Sequence, residues 1–328
     1  MTPQSTRERE KVAAQDTPPP DGGRREGEGR RKPWSRINDV VDRHVKSVFV
    51  TPAVAFVVLM MVFPIGYTLY LSLHDWYGST NSPPTFVGVD NYVRIFSNDP
   101  RFWDALGRTL LFTGLAVSIQ TVLGVAIAVL LHRQFLGRGL VRSLMLLPMI
   151  ATPVAVALVW RLLFQPELGL LNDILVSVGL SPSAWVADSS IALFCLVLVD
   201  VWEWTSLITL VTLSGLVALP TEPMEAAIVD GASAWQRFWL ITLPMVRPVI
   251  VIAVVFRLIE ALKTFDPIIV ITQGGPGFAT ETLNIYIYNT AFQYQQLGYA
   301  SALLLVFFAI VFTLAATTLS FRRGKASS

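Results

Sequence analysis

Two clusters of ionisable and aromatic residues interrupt stretches that are otherwise apolar. Asp200, Trp202, Glu203 and Trp204 break one stretch; Arg257, Glu260, Lys263, Thr264 and Asp266 break another. Arg257, Glu260 and Thr264 have i, i+3, i+7 spacing, which on a helix places them on one face. Carboxylates accept hydrogen bonds, a guanidinium donates them in a planar fork, and an indole covers apolar ring surface. That combination suits a polyhydroxylated solute such as a sugar. A plainer reading also stands: an Arg257–Glu260 or Glu260–Lys263 pair could simply hold helices together or contact a second membrane chain. In either case an ionisable group in hydrocarbon is costly, so it must face a cavity or a partner.

The elements that position these clusters follow from the apolar pattern. The chain of 328 residues is 53% hydrophobic and 15% charged, well below the quarter or so expected of a soluble domain. The apolar residues fall in six blocks near 48–73, 109–131, 143–164, 191–213, 249–271 and 299–321. Each is about the 20 residues a helix needs to cross the bilayer. Backbone groups in lipid must be satisfied within the segment, so the expected fold is all-α and polytopic, with about six transmembrane helices. Glu260 falls near the expected bilayer midplane, where transporter sites tend to lie.

Orientation follows from Lys and Arg in the connections. With six spans both termini share one side. That side carries eleven Lys/Arg up to Lys46, then Arg133, Arg138, Arg142, Arg237, Arg247, Arg322, Arg323 and Lys325; the other has Arg94, Arg101 and Arg108. Nineteen against three places both termini in the cytoplasm. Residues 1–46 are polar and rich in Pro, Gly and Arg, and are expected to form a disordered cytoplasmic tail rather than a cleavable signal. Residues 47–323 form the membrane domain and 324–328 a short tail.

Several chemistries find no support. No G-x-x-x-x-G-K-[ST] loop is present, so any nucleotide chemistry belongs to another chain. His44, His74 and His132 show no metal-ligand spacing. Cys195 has no cysteine partner and reads as a small core hydrophobe. No nucleic-acid partner is expected; membrane lipid is.

The cytoplasmic connection between the fourth and fifth blocks, about residues 219–245, is long for a passive loop. Thr221 can cap a helix carrying Pro223, Glu222 and Glu225 in its first turn. Gly231 permits a tight bend. A second short helix is expected from Ala234 to Leu240, closed by Pro244. Two short amphipathic helices around a bend make a knob suited to a groove on a partner.

Glu225-Ala226-Ala227, Asp230-Gly231-Ala232 and Ile241-Thr242-Leu243-Pro244 resemble the coupling loop of ABC importer permeases. A second stretch resembles the outer segment of the maltose, glycerol-phosphate and polyol branch: Thr272-Gln273-Gly274-Gly275-Pro276-Gly277, then Glu281-Thr282-Leu283 and Asn289-Thr290-Ala291-Phe292. The resemblance runs from about Val48 to Arg323. It implies a type I importer permease of the bacterial cytoplasmic membrane, with Glu225, Ala226, Ala227, Asp230, Gly231, Ala232, Leu243 and Pro244 docking on an ATPase. Implied partners are two ATP-binding subunits that use ATP and Mg, a second permease expected to be a different chain, and an extracytoplasmic solute-binding protein. This chain is implied to bind no cofactor and to catalyse nothing. Counting from the shared loop, the family's solute positions fall on Asp200, Trp202, Glu203, Trp204 and Leu207, then on Arg257, Glu260 and Ala261, with Thr264 one turn beyond on the same face. The side chains differ from the maltose permease at most of these positions, which argues against maltose itself.

The main alternative is an ion-gradient-driven secondary transporter, which predicts intramembrane acids, broken helices and internal repeats. The acids are present; no repeat is evident. An intramembrane enzyme would need a Ser/His or metal constellation that the blocks do not offer.

Overall fold

The structure is a computed structural model. It describes residues 33–78 and 82–324, with side chains described for 50–78 and 82–318. Most of the expected tail, and residues 325–328, lie outside the described residues. The chain divides into two units, residues 1–61 and 62–328.

The first helix, α1, runs from Pro33 to Ser72. Residues 33–46, expected as tail, are therefore helical. Pro33 suits a first helical position, and Ile37, Val40, Val41, His44, Val45 and Val48 recur at helical spacing.

In the second unit a two-stranded ribbon, β1 (His74–Asp75) on β2 (Thr85–Phe86), precedes a short helix α2 (Asp90–Ser97). Then α3 (Pro100–His132) starts where the Asp99 carboxylate accepts the Phe102 N–H at 3.0 Å, with Pro100 in the first turn. After it come α4 (Arg138–Ile150), α5 (Pro153–Leu163), α6 (Leu170–Ser177) and α7 (Ala192–Val217). The knob comprises α8 (Glu222–Val229) and α9 (Ala234–Arg237). It leads to α10 (Leu243–Leu262), α11 (Asp266–Ile271), α12 (Leu283–Tyr288) and α13 (Leu297–Gly324).

Among the described residues five helical stretches are long and apolar enough to span a membrane, and counting one bent pair as a single span gives six. Two of the expected spans are not straight. The third is α4 and α5, bent by 95°. Pro153 disfavours helical geometry in the residue before it, and Thr152 is extended at φ −67°, ψ 132°. The fifth breaks at residues 263–265, because Pro267 opens a new helix after Phe265. The carbonyl left free at Lys263 accepts the Asn284 side-chain amide at 2.8 Å, as backbone at membrane depth requires.

Small residues set the closest helix contacts. A Cβ on Gly124 of α3 would lie 2.9 Å from Ile208 of α7, and one on Gly215 of α7 would lie 3.0 Å from Val249 of α10. Glycine lets these backbones approach. One core joins α3, α5, α7 and α11 through Phe112, Ala157, Leu196, Val199 and Ile268; another joins α3, α7 and α10 through Ala128, Leu213 and Val246.

The segment 273–296 is pinned to the start of α3. Arg101 holds Glu281 with two hydrogen bonds of 2.7 Å, and the Glu281 side chain is fully buried. Asp99 accepts from Tyr286 at 2.6 Å and Tyr299 at 2.5 Å. Burial and the Asp99 carboxylate push the Tyr286 phenol upward from its ordinary value.

Candidate solute cavity and coupling knob

A cavity of about 180 Å³ opens where the two broken spans meet. Pro153 comes from the first break; Lys263, Thr264, Phe265, Asp266 and Pro267 come from the second; Glu203 and Trp204 of α7 and Arg257 and Glu260 of α10 complete the lining. The prolines that end the helices thus also make the room. Helix ends replace continuous helix, so polar side chains and backbone reach a space that straight spans would fill.

Arg257 is 1% exposed and anchors the wall. Its guanidinium donates to the Asp200 carboxylate of α7 and, from Nε, to Gln120 Oε1 of α3 at 2.9 Å. Gln120 in turn donates to Asp200 Oδ2 at 2.8 Å and to the Asp200 carbonyl at 2.9 Å. The triad is closed, which is how a buried ion pair is made tolerable. Trp204 lies on the Arg257 guanidinium at 5.2 Å from Cζ to the ring centre. On the more open side Lys263 pairs with Glu260 at 2.8 Å. Glu203 is 1% exposed, and its Oε2 is buried without a hydrogen-bond partner.

The sequence-predicted solute residues therefore divide. Glu203, Trp204, Arg257, Glu260 and Thr264 share the cavity. Asp200 stands behind Arg257 as its counter-ion. Trp202 faces an apolar groove with Leu123 and Leu144 and packs on Trp160 at 5.6 Å, while Ala261 is buried in the helix packing. Of the two pairings open from sequence, Glu260–Lys263 forms, and Arg257 goes to Asp200 instead. Sequence reasoning missed Gln120. The signal was available, since it is an amide in mid-block, but its partner lies 80 positions away.

The knob is built largely from its own backbone. Thr221 holds the cap position of α8 without a side-chain cap hydrogen bond, correcting the expected cap. The helix ends at Asp230: the Ala232 N–H donates to the Ala227 carbonyl at 2.9 Å and the Gly231 N–H to the Ile228 carbonyl at 3.1 Å. This double bond pattern needs a left-handed residue, and Gly231 has φ +78°. Ser233 then opens α9 with a reciprocal capping box to Gln236.

The expected second helix does not end at Pro244. α9 passes through a wide turn, Phe238–Thr242, in which the Leu243 N–H reaches back to the Phe238 carbonyl, and continues as α10 with Pro244 in its first turn. The five-residue spacing relieves the clash of a proline ring with a carbonyl four residues back. Glu225, Ala226, Asp230, Gly231 and Pro244 are exposed, Ala232 and Leu243 half-buried, and Ala227 buried. Val229, Trp235 and Leu240 are 87%, 70% and 72% exposed, an apolar crest of the kind that protein-docking surfaces carry.

Knob and cavity share one helix. From Leu243 to Glu260 α10 is unbroken, a rod of about 25 Å at 1.5 Å per residue.

Residues 120–325 match the family model described as binding-protein-dependent transport system inner membrane component. The chain is 36% identical to the trehalose/maltose transport system permease protein MalF of Thermococcus litoralis, over 80% of this chain and 88% of that one. It is 35% identical to the trehalose transport system permease protein SugA of Mycobacterium tuberculosis, over 84% and 88%. A solved bacterial ABC transporter involved in import of the acidic polysaccharide alginate shares the fold at TM-score 0.75 and 21% identity, covering 88% of this chain and 98% of that one.

Proposed function

From the premise that this chain belongs to the binding-protein-dependent transport system inner membrane components, the non-catalytic membrane subunits of ABC importers, we propose that it passes a sugar or polyol through the Glu203–Arg257–Glu260 cavity. Family membership answers the ion-gradient alternative: the chain is a multi-pass inner-membrane subunit that works with a solute-binding protein and an ATPase. Broken spans alone would not have separated the two readings.

The observation that carries the proposal is the continuity of α10. The exposed knob, Glu225 to Pro244, docks on an ATPase subunit that uses ATP and Mg. When the nucleotide-bound ATPases close, the knob moves with them. A continuous helix carries that displacement about 25 Å to the cavity wall. Two ATP-binding subunits and a second, different permease complete the assembly, and both termini lie in the cytoplasm. The sugar class is supported by the indole face of Trp204, the carboxylates beside it and the trehalose relatives.

The test is to co-purify the complex, reconstitute it with its binding protein, and screen sugars and polyols for stimulated ATP hydrolysis. A sugar or polyol that stimulates hydrolysis, with Gly231→Trp inserting normally but losing that stimulation, is the expected result. Uptake persisting without ATPase subunits would overturn it.

A further inference from the structure

The cavity walls carry more negative than positive charge, and each cation already has a carboxylate partner. Glu203, Glu260 and Asp266 face Arg257 and Lys263. Arg257 is committed to Asp200 and Gln120, and Lys263 to Glu260. Counting Asp200 behind the wall, four carboxyl groups stand against two cations. Ionised carboxylates only accept hydrogen bonds. Glu203 Oε2 is buried with no donor, a state that costs free energy until something supplies one.

Resting on the reading of this cavity as the solute path, we propose that the permease itself selects against anionic solutes: it passes sugars or polyols that present hydroxyl or ammonium donors, and rejects those bearing a carboxylate, sulfonate or phosphate. An anion would bring acceptors to a wall where carboxylates outnumber cations, and each of those cations already has a carboxylate partner. A hydroxylated ring supplies donors to Glu203, Glu260 and Asp266 while Trp204 covers its apolar face. The shared fold with an importer of an acidic polysaccharide does not bear on this, because charge selection resides in side chains.

The test reads the cavity's potential without knowing the solute. In a Cys195→Ala background, Thr264→Cys places a thiol on the wall and Ser181→Cys places one on an exposed loop. The complete complex in proteoliposomes is treated with cationic and anionic methanethiosulfonates, and modification of this chain is followed by mass. At Thr264→Cys the cationic reagent should outrun the anionic one by on the order of tenfold more than at Ser181→Cys. That excess should shrink when Glu203→Gln, Glu260→Gln or Asp266→Asn is added. Equal preference at both sites, or an excess that the carboxamides leave untouched, overturns the charge selection while leaving the solute path standing. A thiol inert to both reagents with and without nucleotide shows a closed space and overturns the path reading as well. A transported solute bearing a carboxylate, sulfonate or phosphate refutes the proposal directly.

Discussion

Arg257 and Asp200 form the buried ion pair that joins α10 to α7, and both side chains are almost wholly shielded from solvent. Removing one partner strands the other charge. Arg257→Leu should therefore lower the stability of the assembled permease by about 3–5 kcal/mol, read as the thermal midpoint of the detergent-purified complex. The double variant Arg257→Leu with Asp200→Leu should recover much of that loss, because no lone charge remains. A double variant as unstable as the single one would show that the pair is not the relevant unit.

The two tryptophans of α7 are separable. Trp204→Ala should reduce solute-stimulated ATP hydrolysis severalfold, since Trp204 lines the cavity and backs Arg257. Trp202→Ala should reduce it far less, since Trp202 packs on Trp160 outside the cavity. Equal effects would place both on the solute path.

At the knob, nothing lies within 4 Å of a Cβ built on Gly231, yet its φ is +78°. Gly231→Ala should cost about 1 kcal/mol through backbone strain alone and weaken coupling mildly. Gly231→Trp adds bulk on the docking surface and should abolish uptake with membrane insertion intact. Comparing uptake with surface-exposed protein for both variants separates strain from steric exclusion.

Against the start of α3, Glu281 has no exposure and depends on Arg101. Arg101→Met leaves a buried carboxylate with only the Asn289 amide, at 3.1 Å, among its side-chain partners. Segment 273–296 should then loosen from α3. Limited proteolysis should cut it faster than in the parent, and Glu281→Gln should have a smaller effect because no charge is stranded.

Close packing at Gly215 yields a further expectation. A side chain there must displace Val246 and Val249 on α10. Gly215→Val should cost about 1–3 kcal/mol through overpacking, visible as a lower thermal midpoint, whereas Gly139→Val, with open space around its Cβ, should shift it little.

Much of this architecture is written locally. Six apolar blocks of bilayer length require helices because backbone groups have no other partners in lipid. The turn after Val229 is encoded by Gly231 and Ser233 within a few residues. The knob's place between two spans and its family motif were legible for the same reason: each depends on neighbours in the chain. The tail boundary was misjudged because the change from polar to apolar composition near Lys46 is not a change in helical periodicity.

What the tertiary structure decided is which polar residues meet. The breaks at Pro153 and Pro267 interrupt two blocks expected to be continuous, and both open on one space. Arg257 could be assigned to Glu260 by helical spacing, yet its partners Asp200 and Gln120 lie 57 and 137 positions away, on helices that Gly124 and Gly215 allow to pack closely. Trp202 and Trp204, two residues apart, turn about 200° from each other on a helix, and only the packing of α7 against α3, α4 and α10 assigns one to the cavity and the other to the groove. Periodicity fixes the face a residue occupies on its own helix; the neighbour that covers that face is a long-range choice, and the chemistry of the cavity depends on it.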